Sequence, residues 1–136
     1  MKSILIDAGP LIALFDRSDR YHTKALEFIK GFKGQLWTTW PVMTEVSHML
    51  DFSTKTQVAF LTWIERGGFR LFDLKKRHIG RLAELTKKFD DVPMDLADAS
   101  LVIVAKENGQ KEIATIDSDF YIYRDIRNQY LTNIFM

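Results

Sequence analysis

The sequence of 136 residues contains no cysteine. This absence excludes disulfide bonds, thiolate metal sites, iron–sulfur clusters and a cysteine nucleophile. It also fits a reducing compartment, and we expect a cytoplasmic protein.

Long apolar runs are also missing, so the sequence predicts no transmembrane helix and no membrane partner. The apolar N-terminal stretch resembles a signal peptide in part, but Asp7 and the pair Gly9 and Pro10 interrupt it. Net charge is nearly absent, because 19 Lys and Arg stand against 18 Asp and Glu. Any charged site must therefore be local.

Several catalytic signatures are absent as well, namely a Walker loop, a dinucleotide-binding fingerprint, a nucleophile elbow and an HExxH motif. What is present is the composition of an ordinary globular protein, with 46% hydrophobic and 27% charged residues. The length is typical of one domain, so we expect residues 1–136 to form a single domain.

The hydrophobic pattern alternates short apolar strands with helices. Strands are predicted over residues 3–6, 35–39, 69–74, 113–116 and 131–135. Helices are predicted from Pro10 onward and over residues 21–32, 42–50 with Pro41 as the first helical residue, 55–65, 75–89 and 96–105. The last of these is predicted to be buried on most sides and to end near Gly109. This order predicts a three-layer α/β/α fold with a mainly parallel central sheet of about five strands.

Acidic residues recur where such a sheet would gather them. Asp7 ends the first strand, and Asp117 ends the strand at 113–116, with Asp119 two residues later. Asp98 lies in the opening turn of the buried helix, and Glu45 lies about one turn into the helix behind Pro41. Because ligands bind beyond the carboxyl ends of parallel strands, we expect these acids to converge there.

Each acid also has a purely structural interpretation. The two acids at strand ends can cap the turns that follow them, and Asp98 can close a capping box with Asp95. Glu45 can form a surface ion pair with His48. A parallel sheet would bring the elements that carry these four acids to one edge. Their shared position favours a common site over four independent caps.

A cluster of carboxylates without cysteine is a hard oxygen-donor set, which suits Mg²⁺ or Mn²⁺ better than Zn²⁺. Such clusters commonly hold one or two ions that position a phosphodiester, activate a water molecule and stabilise the leaving oxygen. The leading predicted chemistry is therefore phosphodiester hydrolysis.

Five segments carry a family resemblance in order and spacing: residues 4–16 (ILIDAGPLIALFD), His22, residues 44–46 (TEV), residues 95–99 (DLADA) and residues 114–120 (ATIDSDF). They resemble the PIN-domain ribonucleases, and the opening segment is most similar to the VapC-like toxins of toxin–antitoxin pairs. The resemblance spans nearly the whole chain.

The resemblance implies an acidic quartet that is both catalytic and metal-binding, consisting of Asp7, Glu45, Asp98 and Asp117. Asp119 is an auxiliary metal ligand that could exchange roles with Asp117, and the hydroxyl of Thr115 could hydrogen-bond the cluster. The implied activity is that of a Mg²⁺- or Mn²⁺-dependent endoribonuclease that leaves 5′-phosphate and 3′-hydroxyl ends on RNA. The implied partners are a small antitoxin protein and a second copy of the chain.

Two other functions remain open at this point. A PIN-domain nuclease of RNA processing or decay would share the catalysis without being a toxin. A Mg²⁺-binding receiver-like signalling domain also places acids at strand ends, but Asp7 has no acidic neighbour and the late strand ends in Asp117 rather than Lys. Residues 66–88 hold eight basic residues against two acidic ones, which is either a surface that follows RNA phosphates or a solvated helix face.

Overall fold

The computed structural model describes residues 2–91, 94–117 and 131–136. Within these ranges no helix is long and apolar enough to cross a membrane. In chain order the elements are β1 (Lys2–Ile6), α1 (Ala8–Phe15), α2 (His22–Gly31), β2 (Gly34–Thr38), α3 (Trp40–Met49), α4 (Thr54–Glu65), β3 (Arg70–Leu71), a 3-10 turn (Lys76–His78), α5 (Ile79–Lys88), α6 (Leu96–Asn108), β4 (Glu112–Ala114) and β5 (Thr132–Asn133).

The strands form one sheet in the order β3-β2-β1-β4-β5, and all the described pairings are parallel. From β1 the chain moves outward to β2 and β3, then returns to place β4 on the other side of β1. Parallel neighbours require helical crossovers, and right-handed crossovers in opposite directions lie on opposite faces of the sheet. The predicted three-layer α/β/α fold is confirmed, and the described part of the chain contributes five parallel strands to the sheet.

The core is centred on β1 and α6. Ile4, Leu5 and Ile6 are fully buried, and every residue of α6 from Ala97 to Ala105 is buried as well. This confirms the prediction of a helix enclosed on most sides. The helix ends at Gly109, whose φ of +67° lies in the left-handed region that favours glycine after a helix.

Two helices begin earlier than the positions of their prolines predict. α1 begins at Ala8 rather than Pro10, and α3 begins at Trp40, with Pro41 as its second residue. Proline is tolerated throughout the first helical turn, because the N–H groups there have no partner within the helix. A proline in the sequence therefore marks the first turn of these helices rather than their first residue.

The predicted strand at 69–74 is mostly wrong, since only Arg70 and Leu71 form β3. The Phe72 N–H still donates to the Thr38 carbonyl oxygen at 3.0 Å. Because β2 ends at Thr38, the residues after Phe72 have no strand beside them with which to pair. The predicted helix at 75–89 is divided into the 3-10 turn and α5. The strands predicted at 113–116 and 131–135 are likewise reduced to β4 and β5.

The basic stretch around α5 forms ion pairs on the surface. Arg77 lies 2.9 Å from Glu107, and Arg81 lies 3.0 Å from Glu84. Hydrogen bonds from Arg77 and His78 hold the pKa of Glu107 at about 2. These contacts favour a solvated helix face over a surface that follows RNA phosphates.

Candidate active site

The candidate site lies at the carboxyl ends of β1 and β4, where the order of the strands reverses direction. Asp7 directly follows β1, and Asp117 lies three residues after Ala114 at the end of β4. The Asp7 N–H donates to the Ala114 carbonyl oxygen at 3.0 Å and so joins the two strand ends. Ligands of open parallel sheets bind at such a reversal point. The fold thus brings together two acids that are far apart in the sequence.

A third carboxylate, from Asp98 in the first turn of α6, completes a compact group. One carboxylate oxygen from each of Asp7, Asp98 and Asp117 lies within 4.8 Å of the other two. Asp7 is only 6% exposed and Asp98 only 8% exposed, so water reaches them poorly. Carboxylates this close repel one another unless a cation or protons balance their charge. The group therefore has the geometry of a candidate cation site.

The electrostatics of Asp7 reflect this environment. Burial raises the pKa of Asp7 to about 7, and the charges of Glu45 and Asp117 act in the same direction. Hydrogen bonds from the Ala8 N–H and the Thr115 hydroxyl partly oppose this increase. Near neutral pH, the folded chain thus holds a proton at this position more readily than an exposed aspartate would.

Asp98 belongs to the cluster and also to the capping box at the start of α6. The Asp98 N–H donates to Asp95 Oδ1 at 2.8 Å, and the Asp95 N–H donates to Asp98 Oδ2 at 3.3 Å. Burial raises the pKa of Asp98, and the charges of Asp95, Asp7 and Asp117 raise it further. The capping interpretation is therefore confirmed without excluding the cluster, because one side chain takes part in both.

Thr115 connects two members of the cluster through its hydroxyl group. Its Oγ1 donates a 2.9 Å hydrogen bond to Asp7 Oδ2 and accepts a 2.9 Å hydrogen bond from the Asp117 N–H. Thr115 is fully buried, so water does not compete for these bonds. The hydrogen bond that the resemblance implied for Thr115 is present, and its acceptor is Asp7.

Glu45 occupies the rim of the site. It lies on α3, is exposed, and lines the same cleft as the three close carboxylates. Burial of part of the side chain raises the pKa of Glu45, and the charges of Asp95 and Asp117 add to that effect. The sequence suggested His48 as a surface partner of Glu45, but in the structure the His48 Nδ1 lies 4.0 Å from Asp51 Oδ2 instead. Glu45 is thus coupled electrostatically to the acids of the site.

A buried pair of hydroxyl groups connects the two helices that carry these acids. Thr39, which precedes α3, has its Oγ1 2.7 Å from Ser100 Oγ in α6. Ser100 Oγ donates to the Ala97 carbonyl oxygen at 2.6 Å, so the proton between the two hydroxyls comes from Thr39. Both residues are fully buried. This contact fixes the start of the helix that bears Glu45 against the second turn of α6.

The acids line a cleft of about 290 Å³ at the edge of the sheet. Asp95 is an exposed acid there whose position in the sequence predicts only a helix cap. Its spacing from Asp98 was the available signal, because a capping box brings both of its side chains to one helix end. The cleft is lined by Asp7, Ala8, Gly9, Ile12, Glu45, Asp95, Asp98, Ile116 and Asp117.

The residues present fit a divalent cation. The donors are carboxylate oxygens, which hard cations prefer, and no cysteine occurs in the chain. Asp7, Asp98 and Asp117 offer three such oxygens within one small volume. Asp119, the predicted auxiliary ligand, lies outside the described residues.

A parallel sheet with buried acids at the reversal of its strand order is the architecture expected of a PIN-type domain. Residues 4–126 match the family described as PIN domain. Because the match covers most of the chain, the chain belongs to the PIN-domain family. The predicted family is confirmed, and the receiver-like alternative loses its support.

Individual relatives extend this similarity. The chain is 24% identical over 116 residues to Ribonuclease VapC26 of Mycobacterium tuberculosis, which covers 84% of this chain and 86% of that protein. Its fold is similar to the crystal structure of VapC20 from the same organism, which is described as a sarcin–ricin loop cleaving toxin. The two structures superpose with a TM-score of 0.78 and 18% sequence identity, and the match covers 85% of this chain and 91% of VapC20. It also resembles VapBC2 of Rickettsia felis, solved bound to a DNA fragment from the promoter, with a TM-score of 0.65, 14% identity, and coverage of 97% and 98%. The predicted likeness to VapC-like toxins is confirmed.

Proposed function

We propose that this protein is a metal-dependent endoribonuclease that hydrolyses phosphodiester bonds of RNA. The observation that carries the proposal is the convergence of Asp7, Asp98 and Asp117 within 4.8 Å at the carboxyl edge of the sheet. Three carboxylates from distant segments have no structural need for one another, because each increases the cost of burying the others. Membership of the PIN-domain family and the similarity to a ribonuclease support the same conclusion.

We assign the catalytic role to Asp7, Glu45, Asp98 and Asp117. The same four residues and Asp119 are the proposed metal ligands, and the metal is Mg²⁺ or Mn²⁺. A divalent ion held by such oxygens supplies a nucleophilic water at neutral pH and stabilises the leaving oxygen.

Two side chains, Thr115 and Glu45, complete the proposed site around the three close carboxylates. The Thr115 hydroxyl holds Asp7 Oδ2, so the orientation of that carboxylate does not depend on solvent. Glu45, exposed at the rim on α3, faces the same cleft and completes the proposed ligand set from the opposite helix.

We further propose that the enzyme is the toxin of a toxin–antitoxin pair, with a small protein antitoxin as its partner. The similarity to VapC26, to the toxin VapC20 and to the VapBC2 complex supports this role. A cytoplasmic location, where an RNA substrate would be found, remains a prediction, as does the arrangement of residues 1–136 in one domain.

A homodimer is the proposed assembly. Trp40, the first residue of α3, is 61% exposed and lines one surface groove with Leu96 and another with Leu61, and both leucines are also exposed. Exposed apolar surface of this kind is typical of a protein interface. We refer to Trp40, Leu61 and Leu96 as the α3 face and propose that a second copy of the chain covers it.

The direct test is cleavage of a labelled RNA pool by the purified protein in Mg²⁺, in Mn²⁺ and in EDTA. Asp98→Asn keeps an oxygen that can accept the capping hydrogen bond but loses the charge, so we expect a folded protein without metal-dependent cleavage. Asp73→Asn is the matched control, because Asp73 is exposed and its ion pair with Lys75 lies on the surface. Equal cleavage by Asp98→Asn and the wild type would overturn the assignment.

Toxicity is tested separately by expressing the protein alone and together with any small protein whose gene lies beside its own. Growth arrest that this neighbour relieves is the expected result. RNA cleavage without growth arrest would instead favour a PIN-domain nuclease of RNA processing or decay.

A further inference from the structure

Asn133, at the end of β5, forms two hydrogen bonds with the backbone of a single residue, Thr115. Asn133 Nδ2 donates to the Thr115 carbonyl oxygen at 2.9 Å, and the Thr115 N–H donates to Asn133 Oδ1 at 3.3 Å. A primary amide has both a donor and an acceptor, so it can pair with a peptide group as another strand would. The side chain therefore satisfies the backbone of Thr115 just beyond the end of β4.

This contact extends the β4–β5 pairing past the point where the backbone of β5 leaves it. The Thr132 N–H donates to the Lys111 carbonyl oxygen at 2.8 Å, and the Ile134 N–H donates to the Ile113 carbonyl oxygen at 2.9 Å. In a parallel ladder the next backbone bonds would reach Thr115. The Asn133 carboxamide takes their place and is itself held by the Phe135 N–H, which donates to its Oδ1 at 3.0 Å.

The same residue, Thr115, holds the acid cluster. Its hydroxyl donates to Asp7 Oδ2 and accepts from the Asp117 N–H, each at 2.9 Å. The direction of that hydroxyl depends on the backbone of Thr115, because χ1 of a β-branched residue is restricted. Asn133 thus reaches two acids of the cluster through one intermediate residue.

We propose that Asn133 is a positioning residue for the metal site, which acts through Thr115 to set the orientation of Asp7 and Asp117. The proposal rests on the proposed metal-dependent function. Asn133 does not coordinate the cation itself. Its contribution is to fix the backbone that carries the hydroxyl group shared by the two acids.

The first test is the affinity for Mn²⁺, measured by titration calorimetry on the wild type and Asn133→Ala. Groups that hydrogen-bond a metal ligand directly typically contribute about 10- to 100-fold to metal affinity. Because Asn133 acts through Thr115, we expect Asn133→Ala to bind Mn²⁺ about three- to tenfold more weakly. The Thr132 and Ile134 N–H groups donate to backbone oxygens that the substitution does not remove, so we expect β5 to stay paired with β4 in this variant. Thr132→Ala, an exposed change on the same strand, is the matched control and should bind Mn²⁺ as the wild type does.

The second test is a double-mutant cycle with Thr115→Val, which keeps the shape of the side chain and removes its hydroxyl. If Asn133 acts through that hydroxyl, the double variant should bind Mn²⁺ about as weakly as Thr115→Val alone, because coupled residues are not additive. Fully additive losses would overturn the proposed route. With RNA as substrate at saturating Mn²⁺, kcat should decrease in Asn133→Ala while KM stays close to that of the wild type.

These outcomes separate the two proposals. Equal Mn²⁺ affinity of Asn133→Ala and the wild type would overturn the positioning role and leave the nuclease assignment intact. A wild-type protein that neither binds Mn²⁺ nor cleaves RNA would overturn the proposed function, and the role of Asn133 with it.

Discussion

Asp7 Oδ2 accepts a 2.9 Å hydrogen bond from Thr115 Oγ1, a buried contact between residues 108 positions apart in the chain. The bond connects the ends of β1 and β4 and stabilises the charged form of a carboxylate that burial disfavours. One pair of side chains therefore both joins two strand ends of the fold and orients a proposed metal ligand.

Thr115→Val should weaken the fold as well as the site. The change leaves Asp7 Oδ2 and the Asp117 N–H without the shared hydroxyl, and loss of a buried hydrogen bond to a charged group costs about 1–3 kcal/mol. We expect the free energy of unfolding to decrease by that amount in urea titrations at pH 8 in EDTA. Thr115→Ser keeps the hydroxyl and should lose less than half as much, and equal losses would contradict the assignment of the bond.

Asp7→Asn should stabilise the metal-free protein at alkaline pH while abolishing cleavage. The folded-state pKa of Asp7, about 7, lies above the ordinary value of 3.8, so the folded chain binds more protons and its stability falls as pH rises between these values. At pH 8 in EDTA the variant should be more stable than the wild type by about 2–4 kcal/mol, an order-of-magnitude figure from the pKa difference.

This advantage should disappear near pH 4, where Asp7 is protonated in the folded chain, and Asp73→Asn should show no such pH dependence. Added Mn²⁺ should stabilise the wild type far more than Asp7→Asn. Urea titrations across the pH range measure both effects. If Asp7→Asn is less stable than the wild type at pH 8, the charged form of Asp7 is not destabilised by burial and the prediction is wrong.

Gly9→Ala should impair the site more than the fold. A Cβ at Gly9 would lie 3.1 Å from Ile116 Cβ, so Ile116 would have to move, and Asp117 follows it directly. We expect lower Mn²⁺ affinity in calorimetry and slower RNA cleavage by a protein that still unfolds cooperatively. Gly80→Ala is the control, because Gly80 lies in α5 with nothing within 4 Å of an added Cβ. That change should stabilise the protein by about 0.5–1 kcal/mol and leave cleavage unchanged.

Trp40→Glu should convert the proposed homodimer into a monomer. A charge in the centre of a buried apolar interface is costly, so we expect the mass measured by light scattering after gel filtration to fall by half. Ile79→Glu places the same charge on a side chain that is 60% exposed on α5, outside the α3 face, and should not change the mass. A wild type that is already monomeric would contradict the assembly.

Much of the site could be predicted from the sequence, because parallel topology determines where strand ends meet. Asp7 and Asp117 follow apolar strands, and Asp98 opens an apolar helix, so their convergence needs only the order of the elements. The role of Asn133 could not be found this way. Its contact with Thr115 is made by a side chain between segments that no local pattern links.

The element boundaries were harder to predict for a related reason. Strand 69–74 is apolar throughout much of its length, yet β3 stops at Leu71 because its neighbour β2 ends. The length of an edge strand depends on its partner as well as on its own residues. Asp95 is a different case, because its spacing from Asp98 does place both side chains at one helix end, while the cleft beside that end is formed by other elements as well.

The pairing of β1 with β4 has a consequence during synthesis. A ribosome makes β1 first, but Asp7 meets Asp117 only after the intervening helices and β4 have emerged and the long-range pairing has closed. Contacts between such distant segments form late and slowly. A chain synthesised only as far as α6 would therefore carry Asp7 and Asp98 without Asp117, and the cluster would form only after β4 has paired with β1.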